Sequence, residues 1–452
     1  MSNRKSMRLV AAAMALALFA AACGDDSGDG STPPDDAPDA GESTSSSTTA
    51  PPDDGSSTPD TTIPLADAGP GVTAEAITIG FTAVDFDALI ENLGVDTGIA
   101  GSEPAVEAIA AWYNENGGVL GRTLEVVFEA FLPVGPVEAE EVCVRLTEDV
   151  EAFAVLGGFV GPGAEEVNPC IPVLHETVLV GATPSAEQLA TAGGLWVTPG
   201  MSLDRRLPAF AELLADSGEL EDLGPIMLVG ASGGDADTLE AVAGAFRDAG
   251  AEVPVVVTFT TTGDQFAAEA DAGVFIERAR SEGVSTVFMI GDSRFGQIAF
   301  FESAPELTYL LPIEENLAEW LSEHPEGLSP DTRVLTSTVG SNETDPDIEA
   351  CRTVVEEAIG VEILPPDGLA EGELNYWAGM EGACRTFAVF TQIAEAAGPD
   401  LTNETWIAAL SEMTDISVPG LESVSIGPDK YDLNDGLELV EYDYDSLEFV
   451  PA

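Results

Sequence analysis

Residues 153–185 read FAVLGGFVGPGAEEVNPCIPVLHETVLVGATPS, and this stretch decides the fold. The apolar strand Phe153–Leu156 breaks into a glycine loop, Gly157–Gly163, and a short helix follows. A second strand, Val178–Val180, breaks into Gly181-Ala182-Thr183-Pro184-Ser185. Two strand ends in succession thus release small residues just before a helix starts. In an open α/β sheet, ligands sit outside the carboxyl ends of the strands, where backbone N–H groups and helix N-termini carry partial positive charge. The stretch is therefore expected to form half of a small-molecule binding mouth.

The rest of the chain fits that expectation. Its 452 residues are enough for two or three domains, and 45% of them are hydrophobic. The formal net charge of −66, from 81 acidic and 15 basic residues, describes an acidic exterior suited to solubility or salt tolerance. It disfavours nucleic acid as a partner, because phosphate neutralisation needs clustered cations and the lysines are Lys5 and Lys430.

The N-terminus reads as an export signal over residues 1–22, in which Arg4, Lys5 and Arg8 precede the apolar run Leu9–Ala22, too short to span a bilayer. The run ends Ala20-Ala21-Ala22-Cys23-Gly24, which resembles a bacterial lipobox with Ala20 where that pattern prefers Leu. The resemblance implies a lipid on Cys23 and an extracytoplasmic protein held to the cell membrane by that anchor alone. Residues 23–71 are mostly Asp, Ser, Thr, Pro and Gly and cannot bury enough apolar surface to order themselves, so they are expected to be a flexible linker. Of the remaining cysteines, three pairings are possible. Cys143 with Cys170 and Cys351 with Cys384 would each join neighbouring segments, in a compartment where disulfides persist. Metal binding has little support, since no CxxC spacing occurs and His175 alone among histidines is near a cysteine.

The body opens with strand Ile77–Ala83, whose end leads to a polar loop holding Asp85, Asp87 and Asp96. Helix Glu103–Asn116 follows, with Val106, Ile109, Ala110 and Tyr113 on one face, and Gly117-Gly118 stops it before strand Leu124–Phe128. Further strand-like runs at Pro225–Val229, Val253–Thr260, Thr286–Ile290 and Leu307–Leu311 alternate with helical stretches such as Thr238–Asp248 and Asp271–Glu282. Such alternation predicts an α/β protein of parallel sheets with right-handed crossovers, and the strands are too many for one sheet. In the segment Leu374–Ala397, Tyr376, Trp377, Met380, Phe387, Phe390 and Ile393 form a broad apolar face expected to pack on a sheet.

The succession ITIG, amphipathic helix, Tyr113-Asn114-Glu115-Asn116-Gly117-Gly118-Val119-Leu120-Gly121-Arg122 and strand resembles the amino-terminal signature of type I periplasmic binding proteins of the branched-chain amino acid transporter family, approximately INAxGGVxGR. The likeness continues through Leu146-Thr147-Glu148-Asp149 and Gly181-Ala182-Thr183, the latter in place of the family's small-small-Thr ligand loop. It implies two Rossmann-like lobes joined by a three-strand hinge. Leu195–Gly200 and Arg333–Thr338 would be the first two crossovers, and the strand-like passage from Val424–Gly427 to Leu447–Val450 the return. Residues 72–197 plus 335–420 are then expected in lobe one, and 198–334 plus 421–452 in lobe two. The implied function is capture of an amino acid, amide or similar solute by hinge closure and its delivery to an ABC transporter permease. Neither a cofactor nor a metal is implied, and a monomer is expected.

By the same resemblance, Gly158, Phe159, Val160 and Gly161 with Gly181, Ala182 and Thr183 would hold a carboxylate, and Asp292 and Glu314 would answer from lobe two. The chain departs from the family at Phe159 and Val160, where a serine is frequent, and at Asp292, where a tyrosine is frequent. It also lacks the usual aromatic after strand Pro225–Val229. With Asp292 and Glu314 opposite the carboxylate end, a zwitterion or neutral amide fits better than a dianion. A sensor or adhesion lipoprotein of the same fold, uncoupled from transport, is the alternative. The GxSxG match at Gly230–Gly234 would suggest a hydrolase, but Ser232 has only His324 downstream as a base, so no enzyme is expected.

Overall fold

The computed structural model describes residues 65–93, 97–161, 163–231, 236–260, 265–290, 294–312, 328–329, 332–340, 342–370, 372–444 and 448–452. Within them the chain runs β1 (Ala76–Val84), α1 (Phe86–Ala88), α2 (Glu103–Glu115), β2 (Thr123–Phe131), α3 (Val137–Val144), β3 (Ala154–Gly157), β4 (Val178–Gly181), α4 (Ala186–Ala192), β5 (Trp196–Val197) and α5 (Leu203–Ser217). It continues through β6 (Ile226–Gly230), α6 (Ala236–Asp248), β7 (Val255–Thr258), α7 (Gln265–Glu282), β8 (Thr286–Ile290), α8 (Arg294–Ser303), β9 (Thr308–Leu311) and β10 (Arg333–Thr338). It ends with α9 (Pro346–Ile359), α10 (Trp377–Ala397), α11 (Asn403–Glu412), β11 (Glu438–Asp443) and β12 (Glu448–Pro451).

Among the described residues the strands form two sheets. The first has the order β2-β1-β3-β4-β5 and is parallel throughout. The second has the order β12-β11-β10-β9-β8-β6-β7; it is parallel from β10 to β7, while β11 and β12 join antiparallel. Strands covered on both faces read as continuous apolar runs, and Ile226–Gly230 and Thr286–Ile290 are buried along their whole length.

Helix α10 explains how the first sheet is covered. Trp377, Met380, Phe387, Phe390 and Ile393 recur at helical spacing, and all are buried in one core with Ile77, Ile79 and Phe81 of β1 and Trp406 of α11. The apolar face expected in this segment is thus a packing face. Cys351 of α9 and Cys384 of α10 form a disulfide beneath it, and Cys143 of α3 pairs with Cys170. His175 lies beside the second of these bridges, whose sulfurs are bonded to each other.

Three expectations change. Residues 335–338 were expected in lobe one but belong to β10, in the middle of the second sheet. Leu421, Ile426 and Leu433, expected with lobe two, pack in the core of the first sheet. Val424–Gly427 is not a ladder strand: Val424 and Gly427 make isolated bridges to Asn434 and Lys430, a local excursion that brings the chain back on itself.

The Gly-Gly-Val-Leu-Gly-Arg turn has a physical reason for its glycines. Gly118 has φ +70°, and a Cβ there would lie 1.9 Å from the carbonyl oxygen of Arg122. The tightness of the turn, closed by Val119 N–H to Arg122 O and Arg122 N–H to Val119 O, aims the Arg122 side chain inward. Arg122 is 1% exposed; its Nε donates to Thr73 O (2.6 Å) and its Nη2 to Ala66 O (3.0 Å).

Candidate functional site

The carboxyl ends of β1, β3 and β4 open onto a cleft of about 490 Å³. Thr82 and Val84 line it from β1, Gly157 and Gly158 from β3, Gly181, Ala182 and Thr183 from β4, and Thr198–Gly200 from the segment after β5. Helix α10 supplies the opposite wall with Ala378, Gly379, Gly382, Arg385 and Thr386. Small residues here let the helix approach closely: a Cβ on Gly379 would lie 3.0 Å from the Ser102 side chain. The apolar surface comes from Phe81, Phe86, Ile99, Phe131 and Val160.

The strand ends are stitched to one another. Thr82 Oγ1 accepts from Gly158 N–H (2.7 Å) and donates to Gly158 O (2.9 Å). Ala182, itself at φ +53°, donates its N–H to Gly157 O (2.7 Å), while its carbonyl accepts from Thr198 Oγ1 (2.7 Å). Gly181 is required here, because a Cβ at its φ of +135° would lie 2.3 Å from Gly157 O. Ser185 then caps α4 with a reciprocal pair of hydrogen bonds to Gln188, which ends the loop and starts the helix.

The expected lobe-one residues divide. Gly158, Val160, Gly181, Ala182 and Thr183 are brought together on the cleft, whereas Phe159 and Gly161 are outside its lining. Phe159 is 1% exposed, with its ring 5.1 Å from that of Phe131 in an edge contact. Its N–H donates to Asn168 Oδ1 (2.7 Å) and its carbonyl accepts from Asn168 Nδ2 (2.8 Å). Gly161 packs on Pro133, whose carbonyl would lie 2.5 Å from an added Cβ. The N–H groups of Gly158, Phe159 and Ala182 are thus engaged within the protein, contrary to the expectation that these loops aim them at a ligand. Thr183 is exposed to the cleft. Asp292, Glu314, Ser232, His324 and Cys23 lie outside the described residues.

Two lining residues escaped the sequence reading. Ser102 precedes α2 and is buried, and its hydroxyl makes no cap hydrogen bond. Arg385 is the cationic side chain of the described lining. Its Nη2 lies 2.9 Å from Glu381 Oε1 and its Nε donates to Pro419 O (3.1 Å), with both members of the ion pair 16% exposed. Burial lowers the Arg385 pKa, and the Glu381 charge opposes that shift. A signal existed in the composition, since an arginine within the apolar run 377–394 is conspicuous in a chain with 15 basic residues. The helical periodicity of α10 marks its packing face, and Arg385 is not part of that face.

Beside the cleft, the passages between the sheets are tied by charge. Thr198 donates its N–H to Tyr431 O and accepts from Leu433 N–H. Arg205, in α5, pairs with Asp432 (2.9 Å) and Asp435 (2.6 Å), and Lys430 Nζ reaches Ser425 O, Asp432 O and Asp435. Burial acts to raise the Asp435 pKa, but the hydrogen bonds from Ser425 and Arg205 and the charge of Lys430 outweigh it and lower the value. Arg206 reaches Ser337 at the end of β10. Arg205 and Arg206 therefore connect the passage after β5 to the other two.

No family model matches the chain, and no curated protein matches it in sequence. Solved structures do. A solute-binding protein of an ABC transporter from R. palustris, in complex with 4-hydroxybenzoate, superposes with a TM-score of 0.57 at 15% identity, covering 84% of this chain and 96% of that one. An ABC transporter substrate-binding protein from Desulfitobacterium hafniense, in complex with Leu, gives 0.56 at 14% identity, with 83% and 100% covered. A fatty acid ABC transporter substrate-binding protein from Thermomonospora curvata gives 0.55 at 16% identity, with 85% and 94% covered. The chain has the α/β, two-lobed fold of type I periplasmic solute-binding proteins.

Proposed function

We propose that this protein is an extracytoplasmic solute-binding lipoprotein, anchored through Cys23, that captures a small molecule in the cleft at the carboxyl ends of the first sheet and delivers it to an ABC permease. The observation that carries this reading is the position of the cleft. It opens at the strand ends Thr82, Gly157–Gly158 and Gly181–Thr183, where a parallel sheet presents its ligand-facing edge, and beside the passages between the two sheets. Thr183 offers a hydroxyl, Val160 and the phenylalanines offer apolar surface, and Asp292 and Glu314 answer from the second lobe. The described lining supplies hydroxyls, apolar walls and a guanidinium, the groups of a reversible binding site.

Three passages tied by Arg205, Arg206 and Lys430 suit a hinge between two rigid bodies, so capture proceeds by closure of the second lobe over the ligand. The stretch from Cys23 to about residue 64 then acts as the tether that lets the body range from the membrane surface; residues 65–71, expected in the linker, are instead fastened to the body through Ala66 O to Arg122 and Gly71 O to Thr78 N–H. A thermal-shift screen of amino acids, amides and organic acids tests the proposal. At least one is expected to raise the melting temperature in a concentration-dependent way, and a Thr183→Val variant to weaken that response. Stabilisation by no small molecule, together with binding to cell wall or to another protein, would contradict it.

A further inference from the structure

We infer that the Cys143–Cys170 bridge covers a latent zinc site, which forms when a dithiol opens the bridge and which holds the cation on Cys143, Cys170 and His175. The two sulfurs and a ring nitrogen of His175 all lie within 4.8 Å of one another. A tetrahedral zinc, with bonds of about 2.3 Å to sulfur and about 2.1 Å to nitrogen, spaces its ligand atoms roughly 3.7 Å apart. The Cα atoms of the two cysteines are 6.5 Å apart, so the freed thiols stay within reach of one ion. No short motif records this set, because the cysteines are separated by 27 positions and meet only where α3 packs on the turn Glu165–Cys170.

The surroundings are arranged for a ligating imidazole. His175 donates its N–H to Cys170 O (3.1 Å), which ties its backbone to one of the cysteines. Thr147 Oγ1 donates to Cys143 O (2.8 Å) and holds the turn that carries Glu148. Glu148 Oε1 lies 3.7 Å from His175 Nδ1, on the side from which a carboxylate orients a metal-bound histidine. The fourth coordination place is left to water, which enters from the adjoining hollow lined by Thr147, Glu148 and His175. Cys143 is buried and Cys170 half-buried, so the dithiol's first thiolate attacks Cys170 Sγ and releases Cys143 as a thiolate. Its second thiol closes on the first and releases Cys170; two electrons pass to the bridge and the dithiol leaves as a cyclic disulfide. Zinc then takes both cysteines as thiolates, and the two thiol protons go to solvent. Among the described residues no third ligand of this kind accompanies Cys351 and Cys384. The connection from β3 to β4, which carries Gly158 and Val160 of the cleft, is thus braced by a covalent bond in one state and by an ion in the other. This holds whatever the cleft binds.

The test uses the full chain, reduced anaerobically with dithiothreitol, freed of it by gel filtration, and titrated with cobalt(II) as a spectroscopic stand-in for zinc. A stoichiometric complex is expected, with the ligand-field absorption of tetrahedral cobalt and thiolate-to-cobalt charge transfer, and zinc should displace the cobalt. The oxidised chain should show neither band. Cys143→Ser/Cys170→Ser should abolish both while Cys23, Cys351 and Cys384 remain. His175→Ala, its fold checked first with both bridges closed, should weaken zinc binding about tenfold or more after reduction. Zinc should also raise the melting temperature of the reduced chain by more than that of the oxidised chain. A cobalt spectrum that survives in the double-serine variant would assign the ion to the other thiols. That result, an affinity unchanged in His175→Ala, or a reduced chain that zinc neither binds nor refolds would overturn the inference.

Discussion

The two ends of the first sheet each hold an arginine, buried at one end and partly exposed at the other, and they use it differently. At the amino end, Arg122 is 1% exposed and donates to the carbonyls of Thr73 and Ala66; among the described residues no carboxylate pairs with it. Its Nη1 is buried without a partner. At the carboxyl end, Arg385 is held by Glu381 and faces a cleft. The first guanidinium is consumed by backbone and can only fasten the segment that leads into β1. The second is braced by a carboxylate and remains beside a space that a ligand can enter. Substitutions at the closed end should therefore change stability and leave binding alone, and substitutions at the open end should do the reverse.

The largest effect is expected where one feature serves both ends. The Cys143–Cys170 bridge braces the connection that leaves β3 at the open end and returns to β4 at the closed end. With a sequence separation of 27, its loss should cost about 3.5 kcal/mol by chain entropy, read as a lower denaturant midpoint of the Cys143→Ser/Cys170→Ser variant. An unchanged midpoint would show that the Phe159–Phe131 core holds this connection unaided.

Arg122→Met should come next, at about 2 kcal/mol, because two carbonyls lose their donor while an incompletely satisfied buried charge is relieved. Proteolysis within residues 65–73 should become faster, and ligand affinity should stay within about twofold. Weakened ligand binding with normal stability would break the comparison. Thr183→Val at the open end is expected to show the opposite pattern, with a loss of about tenfold in affinity, or about 1.4 kcal/mol, and a melting temperature close to wild type.

The smallest effect concerns pH. The Asp435 carboxyl has a lowered pKa in the folded protein, so its contribution is present above the ordinary carboxylate value of about 4 and is lost as pH falls through the lowered folded value. Asp435→Asn should therefore reduce the melting temperature at pH 6, and the difference from wild type should shrink as pH falls below the ordinary carboxylate value. A difference that stays constant as pH falls from 6 through the acid range would mean that packing, and not charge, ties the passages.

Much of this was legible in the sequence because it is local. The glycines of 117–121 and 157–163 mark turns that only certain backbones can make, and Gly181-Ala182-Thr183 sits where a strand end must open. Phe159 was not legible, because what turns it inward is Phe131, 28 positions earlier, and the side chain of Asn168, neither of which a loop motif records. Arg385 was hidden for a different reason. The periodicity of α10 reports the face that packs on the sheet, and the cleft lies along another face of the same helix. The shift of 335–338 into the second sheet reflects strand pairing with β9, a long-range choice that composition does not encode.

The central claim is that the carboxyl end of the first sheet receives the ligand. A crystal structure of the protein with its tightest-binding solute tests it most directly. Density is expected between Thr183, Ser102 and the α10 wall of the cleft. A solute seated instead in the 700 Å³ hollow at the amino end, among Glu148, Glu151 and His175, would contradict it.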